Sequence, residues 1–209
     1  MFYRYMYCCY PENERLSFTK TERASAVSVS YFEDKAFLYF ETETKNLSPE
    51  EVIVGNTKLF PDGKKFLLMP DVFHYSRPEE KADWERKNHD KKPWVRINRL
   101  SPENVSKYLY YHYQYQEERP GGGPDKYGAI FMYNEYLVHY LEFPFESEEN
   151  PPLGALDTNN TPADDTHFWN SLMKSFFIPW DDVSYPWREM LTCLPDGEEF
   201  ILPHDLDEK

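Results

Sequence analysis

Tyr108 and His112 stand four residues apart in the run Val105-Ser106-Lys107-Tyr108-Leu109-Tyr110-Tyr111-His112. On a helix that spacing puts a phenol and an imidazole one turn apart on one face. Val105 and Leu109 complete the stripe, so the face is expected to lie against a sheet. An imidazole over a half-buried surface titrates near neutrality, which is what general acid–base chemistry needs. The competing reading is that His112 is only a packing residue on an inward, tyrosine-rich face. His74 and His139 fall on predicted strands among tyrosines and read as structural, while His89 and His204 lie in charged, exposed segments.

Metal and redox chemistry find little support. The three cysteines contain no C-x-x-C pair, Cys8 and Cys9 are adjacent, and Cys193 stands alone. Neighbouring cysteines rarely reach bridge geometry with each other, so buried, reduced thiols are expected, with no disulfide framework and no metal site.

The elements that must position Tyr108 and His112 follow from the pattern around them. Trp94 to Leu100 alternates as a short strand. Ser101-Pro102-Glu103 is an N-cap, a proline at the first helical position and an acid, opening a helix that should run to about Glu118; the Pro- and Gly-rich run after Arg119 cannot continue it. Tyr127 to Tyr133 and Tyr136 to Phe143 form a hairpin about Asn134-Glu135. Phe168-Trp169, Leu172-Met173 and Phe176-Phe177 recur at helical spacing. Trp187 to Leu194 reads as a further short helix, and Phe200 to Leu202 as a closing strand.

An earlier cycle echoes this one. Phe2 to Tyr10 is a ring-dense strand, and Ala26 to Phe40 forms a hairpin about Glu33-Asp34. Ser48-Pro49-Glu50-Glu51 opens a short helix, and Pro61-Asp62-Gly63 turns the chain into Phe66 to Met69. The charge-dense stretch from Arg77 to Lys92 reads as a connector, helical around Trp84. Recurrence of this kind points to internal duplication. Each cycle reads β-α-β-β-(α)-β, the ferredoxin-like α+β pattern. The expected architecture is two such units, residues 1–93 and 94–209, whose antiparallel sheets pack as an intrachain pseudo-dimer, barrel-like. At the offsets of Tyr108 and His112 from Pro102, the first cycle has Ser17 and Thr21 after Pro11, so it is expected to be the degenerate half.

The order of a strand, Leu100-Ser101-Pro102-Glu103, Tyr108, His112 and Tyr127-Gly128-Ala129-Ile130-Phe131-Met132 resembles the L-rhamnose mutarotase family. So do Phe168-Trp169 with Met173 and the closing Phe200-Ile201-Leu202-Pro203, over roughly residues 94 to 203. Tyr111 stands where that family has a basic residue, and its Trp-Pro pair after the histidine is absent. The resemblance implies cofactor-free interconversion of the α and β anomers of a sugar, a deoxy-hexose such as L-rhamnose. His112 and Tyr108 would be the catalytic pair, with Tyr127, Trp169 and Phe168 binding substrate. Either Trp169 or Trp187 would supply the indole against the apolar face of the sugar.

Composition bounds the alternatives. The 23 basic residues against 37 acidic ones leave a net charge of −14, which disfavours nucleic-acid binding and anionic membrane surfaces. At 40% hydrophobic and 18% aromatic the chain is too apolar to be disordered. With no membrane-length apolar run and no basic-then-apolar start, a cytoplasmic protein is expected, monomeric as a pseudo-dimer or homodimeric. The runner-up function is a non-catalytic ligand-binding or interaction module on the same α+β scaffold.

Overall fold

Two short polar pairs between aromatic runs set the framework. Glu33-Asp34 and Asn134-Glu135 each become a two-residue hairpin turn, pairing Phe32 with Lys35 and Tyr133 with Tyr136. The first turn residue takes a left-handed φ in both, 53° at Glu33 and 51° at Asn134. The structure, a computed structural model, describes residues 1–11, 18–54, 66–77, 80–118, 123–147, 166–182 and 185–204, with the side chains of residues 118 and 166–168 outside that description. The expected turn at Pro61-Asp62-Gly63, Ser17 and the side chain of Phe168 lie outside the described residues.

The described elements are β1 (Tyr3–Cys9), β2 (Thr19–Lys20), β3 (Ser25–Phe32), β4 (Lys35–Thr42), α1 (Pro49–Val52), β5 (Ile53–Val54), β6 (Leu67–Met69), β7 (Asp71–His74), β8 (Lys92–Arg99), α2 (Val105–Glu118), β9 (Ala129–Tyr133), β10 (Tyr136–Phe143), α3 (Thr166–Lys174), β11 (Arg188–Glu189), β12 (Leu191–Cys193) and β13 (Glu199–Phe200). The class is α+β, with mostly antiparallel sheets and few helices. One sheet has the order β13-β12-β3-β4-β1-β6, a second β11-β8-β10-β9-β7, and a third pairs β2 with β5. All three orders are open. Among the described residues no helix is long and apolar enough to cross a membrane.

Two expectations need correction. The stretch from Trp187 to Leu194 is not a helix but the strands β11 and β12. Leu191, Thr192 and Cys193 pair with Tyr31, Ser30 and Val29 of β3, and Ser30 Oγ lies 2.9 Å from Thr192 Oγ1. A helix of that length is marginal alone, whereas a sheet edge satisfies its backbone. The closing strand is Glu199–Phe200, because β12 offers it only Thr192 and Cys193 in register.

The chain divides into two compact units. One comprises Met1–Pro70, Pro78–Val95 and Glu189–Lys209; the other comprises Asp71–Arg77 and Arg96–Arg188. In the first, period-two alternation sends Ala36, Leu38 and Phe40 of β4 to one face, where they join Val27, Val29, Cys9 and Cys193 under Leu47 and Val52. The opposite face of β4 carries a fully buried carboxylate. Glu41 Oε1 accepts from Tyr39 Oη at 2.8 Å, Trp84 Nε1 at 2.9 Å and Arg86 Nη2 at 2.8 Å, while Arg86 Nη1 bonds the other oxygen. Tyr39 reaches Glu41 because residues two apart on a strand share a face.

In the second unit the stripe expected on α2 packs as its spacing dictates. Tyr108 joins Phe73, Val72, Leu100, Ile130, Leu137, Met173 and Phe176 in the core, with Val105, Leu109 and Tyr115 against it. The start of α2 is tied down on two sides: Leu100 N–H donates to Glu135 O at 2.6 Å, and Ser101 N–H to Phe176 O at 2.9 Å. Hairpin β9–β10 and the end of α3 therefore fix where the phenol and the imidazole stand.

Candidate functional site

His112 is 4% exposed, and three rings press on it: Tyr108 at 3.9 Å between centroids, Phe73 at 4.9 Å and Trp169 at 5.2 Å. Its Nδ1 lies 2.9 Å from the carbonyl oxygen of Tyr108, one turn back. A carbonyl only accepts, so Nδ1 carries the hydrogen and Nε2 keeps the lone pair. Burial outweighs the carbonyl contact and lowers the imidazole to about 4, which corrects the near-neutral titration expected of a half-buried face, because the ring is buried outright; at neutral pH it is an uncharged base. Burial, with Tyr75 adding to it and Arg96 opposing, holds the Tyr108 phenol well above its ordinary value. Tyr108 Oη is buried without a hydrogen-bond partner among the described residues.

From His112 the ring contacts close on themselves. Tyr108 meets Phe177 at 6.0 Å, Phe177 meets Trp187 at 5.8 Å, and Trp187 meets His139 at 5.4 Å. His139 meets Tyr75 at 6.3 Å, Tyr75 meets Phe73 at 5.0 Å, and Phe73 returns to His112. Seven side chains from α2, β7, β10 and the segments flanking them and α3 thus form one circuit. Tyr115 and Trp169 extend it on the far side of His112. The backbone accommodates Tyr75 by glycine: a Cβ at Gly123 would fall 1.9 Å from its ring and one at Gly128 2.5 Å from it.

Polar groups enter this circuit from β8 and β10. Arg96 Nε donates to His139 Nδ1 at 3.3 Å, Arg96 Nη1 donates to Tyr185 Oη at 3.0 Å, and the guanidinium stands 5.5 Å from the centre of the Trp187 ring. Burial first, then Arg96 and His112, lower His139 well below the usual imidazole value, so it too is neutral. Because a guanidinium only donates, His139 Nδ1 holds the lone pair and the hydrogen sits on Nε2. That Nε2 is buried with no hydrogen-bond partner among the described residues.

Of the residues expected from sequence, His112, Tyr108 and Trp169 are brought together. Trp187 lies on the same circuit beside His139, so both tryptophans belong to it. Tyr127 is fully buried and engaged elsewhere. Its hydroxyl donates to Glu146 at 3.3 Å, and Lys126 stands over its ring at 5.0 Å while pairing with Glu146. That group is anchored by Asp125, which accepts from the backbone N–H groups of Glu142 at 2.7 Å and Glu146 at 3.2 Å. Sequence reasoning left out Arg96, Tyr75 and the polar role of His139. A signal for His139 existed, since it shares strand parity with Leu137, a core residue under α2. Among the described residues no cluster of three His, Cys, Asp or Glu side chains is placed to hold a metal ion. Comparison with protein-family models, curated proteins and solved structures yields no match.

Proposed function

We propose that the second unit interconverts the α and β anomers of a sugar, a deoxy-hexose such as L-rhamnose, by acid–base catalysis similar to that of the L-rhamnose mutarotases. One observation carries the reading: a neutral imidazole whose Nε2 is left as the acceptor lies 3.9 Å, centroid to centroid and tilted by 32°, from a phenol whose hydroxyl is buried without a partner among the described residues. In the forward step His112 Nε2 takes the proton of the anomeric hydroxyl, and its O–H electrons form the C1 carbonyl. The bond from C1 to the ring oxygen breaks, and the ring oxygen takes a proton from Tyr108 Oη. Rotation about C1–C2 presents the other carbonyl face, and the same transfers run backward to close the ring. Neither step requires a cofactor or a metal, and Trp169 offers an indole to the C–H face of the sugar.

The wider frame of the proposal is a duplicated ferredoxin-like chain that serves as its own dimer in the cytoplasm. Its support is topological. Numbered in chain order within each set of four, the sheet neighbours β6-β1-β4-β3 and β11-β8-β10-β9 are both ordered fourth, first, third, second. The hairpins match at an offset of 101 residues, the difference between Asn134 and Glu33. Tyr140 Oη donates to Glu142 at 2.8 Å just as Tyr39 does to Glu41. The three cysteines are free and buried, which suits a reducing compartment.

A second reading, a non-catalytic module, is favoured by the closeness of the rings about His112, which leave it 4% exposed. Saturation-transfer NMR of anomer exchange separates the two. The mutarotase reading expects exchange of L-rhamnose above the uncatalysed rate, with His112→Gln lowering it about 10²–10⁴-fold. Wild-type protein that leaves L-rhamnose, L-fucose, D-glucose and D-galactose at their uncatalysed rates overturns it in favour of the module.

A further inference from the structure

The two histidines of the aromatic circuit present opposite polarity. His112 is pinned through Nδ1–H to a carbonyl and offers a lone pair; His139 is pinned through its Nδ1 lone pair to Arg96 and offers an N–H. The hairpin does not require that N–H. At the matching position in the first unit stands Leu38, which pairs with Val29 as His139 pairs with Ile130, and Leu38 is fully accommodated in its core. A buried donor without a partner is unfavourable; His139 Nε2 is one of several such buried side-chain atoms among the described residues, and it is set apart by the bond from Arg96 that fixes its tautomer. Here the unfavourable choice is supported by a second one, a guanidinium that is itself 8% exposed and held by Tyr185 and Trp187. An apolar pair would have filled the same space.

We propose that His139 is a second ligand-binding residue of this site, its Nε2–H donating to an oxygen of the same sugar whose anomeric hydroxyl donates to His112, with Arg96 as the positioning residue that holds it in the donor tautomer. The proposal rests on the sugar reading above and adds a specificity rule to it. A fixed donor selects substrates with an acceptor oxygen opposite it, and analogues lacking that oxygen leave the N–H buried and unpaired. The donor is uncharged, which matches a hydroxyl or ring oxygen rather than an ionised group and agrees with a chain of net charge −14.

The test uses the full chain with L-rhamnose as the probe. Nitrogen-15 spectra of the imidazole rings in the free protein should show hydrogen on Nε2 of His139 and on Nδ1 of His112. Hydrogen on Nδ1 of His139 overturns the proposal before any ligand is added. Binding is then followed by tryptophan fluorescence and by the shift of the His139 Nε2–H resonance. His139→Leu, which copies the first unit and is expected to fold, should weaken L-rhamnose binding tenfold or more. Arg96→Met should weaken it in the same sense, with KM rising more than kcat falls, and Arg96→Lys should restore part of the loss. Unchanged affinity in His139→Leu, or a wild-type protein that L-rhamnose does not saturate, overturns the proposal. Wild-type binding that depends on His139 while anomers exchange at the uncatalysed rate supports it and rejects catalysis alone.

Discussion

Burial of His112 as a neutral ring makes the fold acid-sensitive in a defined window. In the unfolded chain an imidazole protonates near 6.5, and in the folded protein it does so only at about 4. Between those values the unfolded state holds one more proton, so falling pH favours unfolding. The stabilisation is fully present above about 6.5, and it is lost as pH falls through the folded value. The shift corresponds to about 3 kcal/mol in full, of which about 2 kcal/mol is gone by pH 5. With the ring almost wholly out of solvent, no screening discount applies. His139 is lowered for similar reasons and acts in the same direction, so the contribution of His112 has to be isolated by difference. Urea denaturation followed by circular dichroism at pH 7, 6 and 5 provides it, comparing wild type with His112→Gln. The wild type should lose about 2 kcal/mol more than the variant between pH 7 and 5. Parallel losses in the two proteins, or an NMR titration of His112 with a midpoint near 6.5, would refute the assignment of a buried neutral imidazole.

Two further perturbations test the supports of each unit. Glu41→Ala removes a carboxylate on which Arg86, Trp84 and Tyr39 converge and leaves a guanidinium with 18% side-chain exposure facing the gap; a loss of about 3–5 kcal/mol is expected in urea denaturation, and a loss under 1 kcal/mol would mean the cluster is not closed in solution. Gly128→Ala sets a methyl group 2.5 Å from the Tyr75 ring and 2.9 Å from Leu141 Cδ2. It should cost about 1–3 kcal/mol and move the His139 ring resonances, since Tyr75 is their neighbour; a variant with wild-type stability and spectra would show that Tyr75 does not pack there.

The parts of this fold legible in sequence are those set within a few residues. Polar pairs between aromatic runs announce both hairpins, and Ser101-Pro102-Glu103 announces the start of the helix that carries His112. The i, i+4 stripe of that helix meets the core as spacing requires. What stayed hidden depends on partners distant in the chain. Nothing local in Leu191-Thr192-Cys193 marks it as a strand, because its hydrogen bonds come from β3, some 160 residues earlier. The same holds at the site. Arg96 and His139 meet because β8 and β10 are neighbours in one sheet, an adjacency that no periodicity in either strand encodes. Tyr127 shows the converse: its place in the motif was visible, but its hydroxyl answers to Glu146 nineteen residues on.

The packing about His112 and the orphaned groups beside it pull the functional reading in opposite directions, and stability decides between them. A circuit of seven rings that served only as a core would be better built with Phe at 108, and with an apolar pair in place of Arg96 and His139. Tyr108 Oη and His139 Nε2 are each buried with no partner among the described residues, and each such group costs about 1–3 kcal/mol relative to an apolar neighbour of the same shape. Atoms of this kind also occur away from the circuit, at Ser28 Oγ and Asn98 Nδ2 among the described residues, so the proposed ligand rests on Tyr108 Oη and His139 Nε2 coming together on a circuit whose two histidines have fixed tautomers. The variant Tyr108→Phe, which breaks no hydrogen bond among the described residues, should then be more stable than wild type by about 1–3 kcal/mol in the absence of ligand. It should also lose the added stability that L-rhamnose gives the wild type, read as the shift in urea midpoint with sugar present. A Tyr108→Phe variant less stable than wild type would mean that the hydroxyl is satisfied inside the folded protein, and the case for a ligand at Tyr108 would fall with it.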